Sequence, residues 1–530
     1  MPRLFCLASL LLVCCLLALG GCGGSGSSSG GGQTLIYAQS DDPKTLDPIN
    51  TDIAEAVHVI TNVFDTLVTY DDVTTDLVPS LAEKWETTED GLTWTFHLRP
   101  GVLFQDGTPC TAAAVKTSYE RLTQNDHPLV FDQARPYQSA YNMIQAIETP
   151  DDATVVFKLT HPSAIFLSNL AMFPASIVSP SGVKEQGKNF GEHPIGTGPL
   201  QFVKWTRGQQ LVLERFEGHW RGAAKVKNVI IVPVKENATR VQRLERGEIH
   251  IAESLSPVEL DSLAKNEAVR VQEHEAMNVA YLALNVEKKP LGNLKVRQAI
   301  AHAIDKPTLI KIGYGGNAEP AVSMVPPTMW GHDAQLQDRA FDLAKAKELL
   351  AEAAKEEGFT LPVKLELSVM NQARTYLQQP LPMAGFLKDS LREIGIEVTI
   401  QGRDVNEHFR ALMAGEHDLG LAGWNSDNND PDNFLYSLLD QDNISAAGNN
   451  LSRFRSEPLH NLLIAGQREM DREKRLDLYR QAQGIILEQA PVVPLAHTKI
   501  RTAHARNLQG FTLHTTGLVR FRHAHFEDAK

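Results

Sequence analysis

The chain has 530 residues, 42% hydrophobic and 22% charged, a composition that reads as soluble and globular. That length is past the point where one hydrophobic core stops growing, so two or three lobes are expected. The formal charge of −13, with no long run of Lys or Arg, argues against a nucleic-acid partner, whose phosphates need concentrated cations.

Arg3 precedes an apolar stretch at 4–19, which is short for a membrane span and the right length for the core of a signal peptide. It ends in Leu19-Gly20-Gly21-Cys22, and small residues before a cysteine resemble the lipobox of bacterial lipoproteins. On this reading 1–21 is a signal peptide, Cys22 is acylated, and Cys6, Cys14 and Cys15 leave with the signal. An ordinary secretory signal cleaved nearby is the alternative. Residues 22–32 then form the lipidated cysteine and a flexible Gly/Ser tether. The tether contains Gly26-Ser27-Ser28-Ser29-Gly30, formally G-x-S-x-G, but without the strand and helix that make a nucleophile elbow. Cys110 is left without a partner, so neither a disulfide framework nor a Cys-rich metal site is expected.

From Gln33 onward short β-rich runs alternate with amphipathic helical patterns. TLIYAQS at 34–40 is predicted as a first strand, and TWTFHLRPGV at 93–102 alternates like a half-buried strand before a Pro-Gly turn. DATVVFKL at 152–159 and QQLVLERF at 209–216 look similar. Gly196-Thr197-Gly198 reads as a tight hinge-side turn rather than a phosphate cradle. KLELSV at 364–369, a helix with Phe386, Leu387, Leu391 and Ile394 on one side, and IEVTI at 396–400 make a β-α-β unit closed by Gly395. That unit implies a parallel sheet covered by helices on both faces. An apolar run at 419–422 leads into GWNSDNNDPDNF at 423–434, which presents Trp424, Asp427, Asp430 and Asp432 together. Asp471 can cap a helix with Leu476, Tyr479, Ala482 and Ile486 as its apolar stripe, and APVVPLA at 490–496 returns as an extended segment. His523 and His525 would share one strand face but lack the further ligands of a stable metal site, so no metal is assigned. There is no obvious catalytic centre.

Five segments carry a resemblance. LAEKWETTEDGLTWTFHLRPGVLFQDGTP at 81–109, HPIGTGPLQFVKW at 193–205, NLKVRQAIAHAID at 293–305, the 423–434 stretch and KRLDLYRQAQGIILEQAPVVPLAH at 474–497 resemble extracellular solute-binding proteins of family 5. These are the peptide, nickel and haem receptors of ABC importers. The likeness runs from about Thr34 to the end and leans to the dipeptide-binding branch over 423–434. It implies an α/β fold of the large periplasmic-binding type (type II, cluster C), with two ligand-clamping lobes of mixed sheets and an extra inserted domain. Lobe I would comprise 33–68, 194–278 and 498–530, lobe II would be the inserted 69–193, and lobe III would be 279–497. The crossings near 275–284 and His497 would form the hinge. The resemblance further implies a monomeric receptor without cofactor on the periplasmic side of the cell envelope. It would meet the membrane only through its N-terminal lipid and deliver a short peptide to an ABC permease and ATPase complex.

Ligands of α/β lobes sit at the carboxyl ends of strands, which is where 424–432 falls. By resemblance Asp427 would bind the ammonium of a peptide's first residue, with Trp424 shaping the pocket. Arg374, in NQARTYL, would take the C-terminal carboxylate through its fork of donors, and Tyr376 would line the same wall. Asp430-Pro431-Asp432-Asn433 reads as a turn in which Asp430 and Asp432 bond local amides. A same-fold receptor for a nickel chelate, haem or a longer oligopeptide is the alternative. An enzyme finds no support, because no nucleophile, base and orienting group can be assembled.

Overall fold

The computed structural model describes residues 34–446 and 448–527, so the signal peptide, the Cys22 lipidation site and the tether lie outside the described residues. Strand Thr34–Gln39 runs parallel between Asn228–Pro233 and Ile251–Ala252. The sheet continues antiparallel through Gln210–Arg215 to Leu200–Thr206. On the other side of Ile251–Ala252 lies Val492–Ala505, whose C-terminal half pairs with Val269–Glu275. Its N-terminal half pairs instead with Asn278–Leu284, and the sheet goes on through Leu419–Asn425, Val363–Met370 and Ile396–Arg403. The two β-rich halves of the molecule therefore share one long strand.

The β-α-β unit at 363–403 is parallel as expected, closed by Gly395 at φ +93°. The sheet around it is mixed rather than parallel. Leu419–Asn425 pairs parallel with Val363–Met370 on one side and antiparallel with Asn278–Leu284 on the other, because the latter strand enters from the opposite half. All seven residues of Asn278–Leu284 are buried, as a central strand covered on both faces requires. Ala280, Leu282 and Leu284 face one core with Leu350, Leu387 and Leu391. Val279, Tyr281 and Ala283 face another with Phe434, Leu463 and Ile486. That split is the period-2 alternation of a strand.

A separate four-stranded antiparallel sheet is ordered Ala82–Thr87, Thr93–Leu98, Thr154–Leu159, Ile144–Asp151. Its core holds Trp94, Phe96, Tyr119, Phe157 and the free Cys110, whose thiol is pushed up to about 12 by burial. Gly196 and Gly198 do not cradle anything. A Cβ at Gly196 would lie 2.2 Å from the Val63 carbonyl oxygen and one at Gly198 2.6 Å from the Val63 carbonyl carbon, so both admit the end of helix Ala54–Val63 against the returning chain.

Helix Arg472–Gln489 is capped by Asp471, which accepts from the amides of Glu473 and Lys474 at 3.0 and 3.1 Å. Tyr479, Ala482 and Ile486 are buried and Leu476 is half-buried. The stripe also carries a buried cation that hydrophobic spacing did not predict. Arg475 donates to Asp430 Oδ1 at 2.9 Å, to the Gly466 carbonyl at 2.8 Å and to the Tyr479 hydroxyl at 3.0 Å. Its side chain and that of Asp430 are 7% and 3% exposed, so neither has water to fall back on. Truncating one partner of such a pair costs about 3–5 kcal/mol. Asp430→Ala is therefore expected to lose that much in urea unfolding, and a loss below about 1 kcal/mol, the value of an exposed pair, would show that the pair is solvated.

Candidate functional site

The strand Leu419–Asn425 runs two residues past Gly423, because Val279 and Asn278 continue to pair with Trp424 and Asn425. A short loop then leads into helix Asp432–Leu439. The loop is held from behind. Asn433 Oδ1 accepts from Trp424 Nε1 at 2.8 Å and from the Asp427 amide at 3.2 Å. Trp330 Nε1 donates to the Asn429 carbonyl at 2.9 Å. Asp430 accepts from the Asp432 amide at 3.1 Å, as a turn residue should. Asp432 departs from expectation: it opens the helix, buried, with Oδ1 lacking a hydrogen-bond partner. Burial and the neighbouring Asp430 push its carboxyl up to about 7.

In front, the loop meets Tyr70, Thr75, Tyr137 and Asn169. Tyr137 donates its hydroxyl to Asp427 Oδ1 at 2.9 Å. Asn428 Nδ2 donates to Asn169 Oδ1 at 3.0 Å, the Asn429 amide to the Tyr70 hydroxyl at 3.2 Å, and Asn429 Nδ2 to the Thr75 carbonyl at 3.1 Å. Burial raises the Asp427 carboxyl to about 6; the charge of Asp52 adds to this, and hydrogen bonds from Tyr137 and Asn433 oppose it. Among the described residues no cation pairs with Asp427. Asp427 is half-buried with only neutral donors around it, a setting in which a positive charge beside it would favour the carboxylate.

Arg374 lies in the loop between strand Val363–Met370 and helix Pro380–Arg392. Its amide and carbonyl exchange hydrogen bonds with Leu377 at 3.0 and 2.9 Å, making a tight turn that leaves the side chain exposed. Thr375 clamps the turn to the other site segment. Its hydroxyl exchanges bonds with the Asn425 amide group at 3.1 and 2.9 Å, and its carbonyl accepts from Thr498 Oγ1 at 3.0 Å. Tyr376 is buried with its ring laid on Gly423, where a Cβ would come within 2.2 Å of its Cδ2. Burial pushes its hydroxyl up to about 12. The residues singled out in sequence, Trp424, Asp427, Arg374 and Tyr376, thus meet at one end of the mixed sheet. Tyr137, Asp52 and Thr375 were missed. Tyr137 is 290 residues from Asp427 in sequence, and nothing local marks it.

His523 Nε2 lies 3.5 Å from Asp72, and His525 Nδ1 bonds the His523 carbonyl at 3.0 Å.

Residues 76–446 match the family described as bacterial extracellular solute-binding proteins, family 5 middle. The dipeptide-binding protein of Escherichia coli (strain K12) is 31% identical over 522 residues, covering 93% of this chain and 95% of the relative. An ABC transporter-associated periplasmic binding protein from Helicobacter pylori, solved in complex with the peptide STSA, superposes with a TM-score of 0.82 at 31% identity, covering 93% of this chain and 98% of that one. A dipeptide binding protein from Pseudoalteromonas sp. SM9913, solved in complex with Met-Leu, gives a TM-score of 0.83 at 29% identity, covering 93% and 100%. The chain belongs to the bacterial extracellular solute-binding proteins of family 5, which are transport receptors and not enzymes.

Proposed function

We propose that this receptor captures dipeptides or short oligopeptides as zwitterions between two closing lobes and hands them to an ABC permease, held at the envelope by a lipid on Cys22. The observation that carries the reading is Asp427, a desolvated carboxylate with no cation beside it, on a segment clamped through Asn425 and Thr375 to the turn bearing the exposed Arg374. Asp427 takes the peptide ammonium while Tyr137 keeps its hydrogen bond, since a carboxylate has lone pairs for both. Arg374 takes the carboxylate, Trp424 walls the pocket, and Tyr376 supports Gly423 beneath it. Two extended residues span roughly 7 Å, so a fixed pair of opposite charges measures ligand length. Lobe I (33–68, 194–278 and 498–530) and lobe III (279–497) close on the ligand, with lobe II (69–193) supplying Tyr137. Ligand touching both sides favours the closed state, which the permease reads. The two solved relatives hold a tetrapeptide and a dipeptide, which supports this ligand class.

Calorimetric titration of the full chain, purified in detergent and stripped of ligand, tests the clamp against dialanine, trialanine, pentaalanine, a nickel chelate and haem. Asp427→Ala and Arg374→Ala are each expected to weaken dialanine by about two decades or more, because each leaves a desolvated charge unpaired. If longer peptides bind equally and only Asp427→Ala matters, Arg374 is not the carboxylate partner; binding of the chelate or haem alone rejects the peptide reading.

The pH dependence has a definite sign. Asp427 of the free protein takes up a proton as pH falls through about 6, and ammonium binding must expel it. Affinity should hold above that pH and fall by about tenfold per unit below it, while both peptide termini stay charged to about pH 4. Tyr137→Phe removes a hydrogen bond that favours the carboxylate, so the break should move to higher pH; an affinity flat from pH 7 to about 5 would remove Asp427 from the ammonium site.

A further inference from the structure

A cavity of about 90 Å³ lies where the C-terminal segment around 510–523 meets the end of helix Ala54–Val63, the segment at 171–176, Pro199 and the loop at 219–221. Among the described residues that line it, none comes from 371–377 or 423–434. Phe173 marks the separation: it lines this cavity, and its ring packs edge-on at 5.2 Å against Tyr137, which holds Asp427. One water needs roughly 15 Å³ of such space, so several heavy atoms fit.

Three guanidinium groups, those of Arg221, Arg520 and Arg522, face this cavity against two carboxylates, Asp65 and Asp72. Asp72 pairs with Arg520 and lies 4.0 Å from Arg522 and 3.5 Å from His523. Arg520 also donates to the Tyr70 carbonyl and Thr69 Oγ1, both at 3.0 Å. Asp65 is engaged from the opposite side, accepting from Thr197 Oγ1 at 2.9 Å and Trp220 Nε1 at 3.0 Å.

Arg221 is left over. It donates to the Pro79 carbonyl at 2.9 Å and stacks 4.4 Å over Trp220, and among the described residues no carboxylate lies within ion-pair distance of it. Burial lowers the pKa of its guanidinium, Asp65 opposes this from beyond ion-pair distance, and Arg522 and Arg520 add repulsion. His219 supplies a second unmet group. Its Nδ1 donates to the Gly222 carbonyl at 3.0 Å, and its Nε2 is buried without a hydrogen-bond partner, 3.6 Å from Asp65. Three positive groups against two negative ones leave an excess of one positive charge in a walled space.

We propose that this cavity binds a small oxyanion of the phosphate, sulfate or carboxylate class, separately from the peptide cleft, with Arg221 as its principal partner and Arg522 as its second. A guanidinium fork holds two oxygens of such an ion at once.

Inorganic phosphate, titrated into the full chain in detergent at constant ionic strength, is the probe, with sulfate and acetate as competitors. The expected result is one saturable site, weakened about tenfold or more by Arg221→Gln, the loss of a hydrogen bond to a charged group, with dialanine affinity unchanged. Arg522→Gln, read by phosphorus NMR line width, carries the test if Arg221→Gln does not fold. Absence of a saturable site overturns the proposal, as does wild-type phosphate binding in both variants. Competition between dialanine and phosphate also overturns it, since the anion would then sit in the peptide cleft.

Discussion

The architecture depends on one strand belonging to two cores. Val492–Ala505 pairs with Asn278–Leu284 at its start and with Val269–Glu275 at its end, so the two halves are continuous through backbone hydrogen bonds rather than merely packed. Any rotation of one half against the other must be absorbed where the pairing changes partner, around His497 and Thr498. Asn278 braces that point. Its side chain bonds both the hydroxyl and the amide of Thr498, at 2.7 and 2.9 Å, and its carbonyl faces His497 Nδ1 at 2.7 Å. The bulge between Ala280 and Tyr281 sits next to it and relaxes the ladder locally. A continuous strand with a single irregular point permits bending while register on either side is kept.

The same strand is tied by side-chain hydrogen bonds to the segment that carries Asp427. Thr498 leaves Val492–Ala505 to hold the Thr375 carbonyl, Thr375 holds Asn425, and Asn425 ends the strand that carries Trp424. Behind the loop, the Arg475–Asp430 pair ties it to helix Arg472–Gln489. The loop that carries Asp427 is therefore held from both sides, and the partial burial of its carboxyl favours the neutral form unless a cation pairs with it.

Much of this was legible in the sequence because it was local. The β-α-β unit closed by Gly395, the Asp471 cap and the Pro-Gly stop after Leu98 follow from periodicity and turn chemistry within a few residues. The 423–434 segment was legible because acidic and amide residues directly follow an apolar run. What was not legible was pairing at a distance. The antiparallel partner of Leu419–Asn425 comes from 135 to 147 residues upstream, with Leu284 opposite Leu419 and Asn278 opposite Asn425, and its direction cannot be read from either strand alone. Arg475 sits at a position that a helical wheel marks as core, and only its distant acceptor Asp430 explains a charge there. Tyr137 and Asp52 reach Asp427 through the fold and through no motif.

Cys110 shows what the inserted core does for a protein made for an oxidising compartment. The thiolate is the reactive form of cysteine, and packing among Trp94, Phe96 and Tyr119 denies it both charge and access. A lone cysteine on the surface would invite mixed disulfides and cross-linked pairs of receptors. Enclosed here it is chemically silent while that lobe stays folded, and its reactivity is a built-in gauge of when the lobe opens.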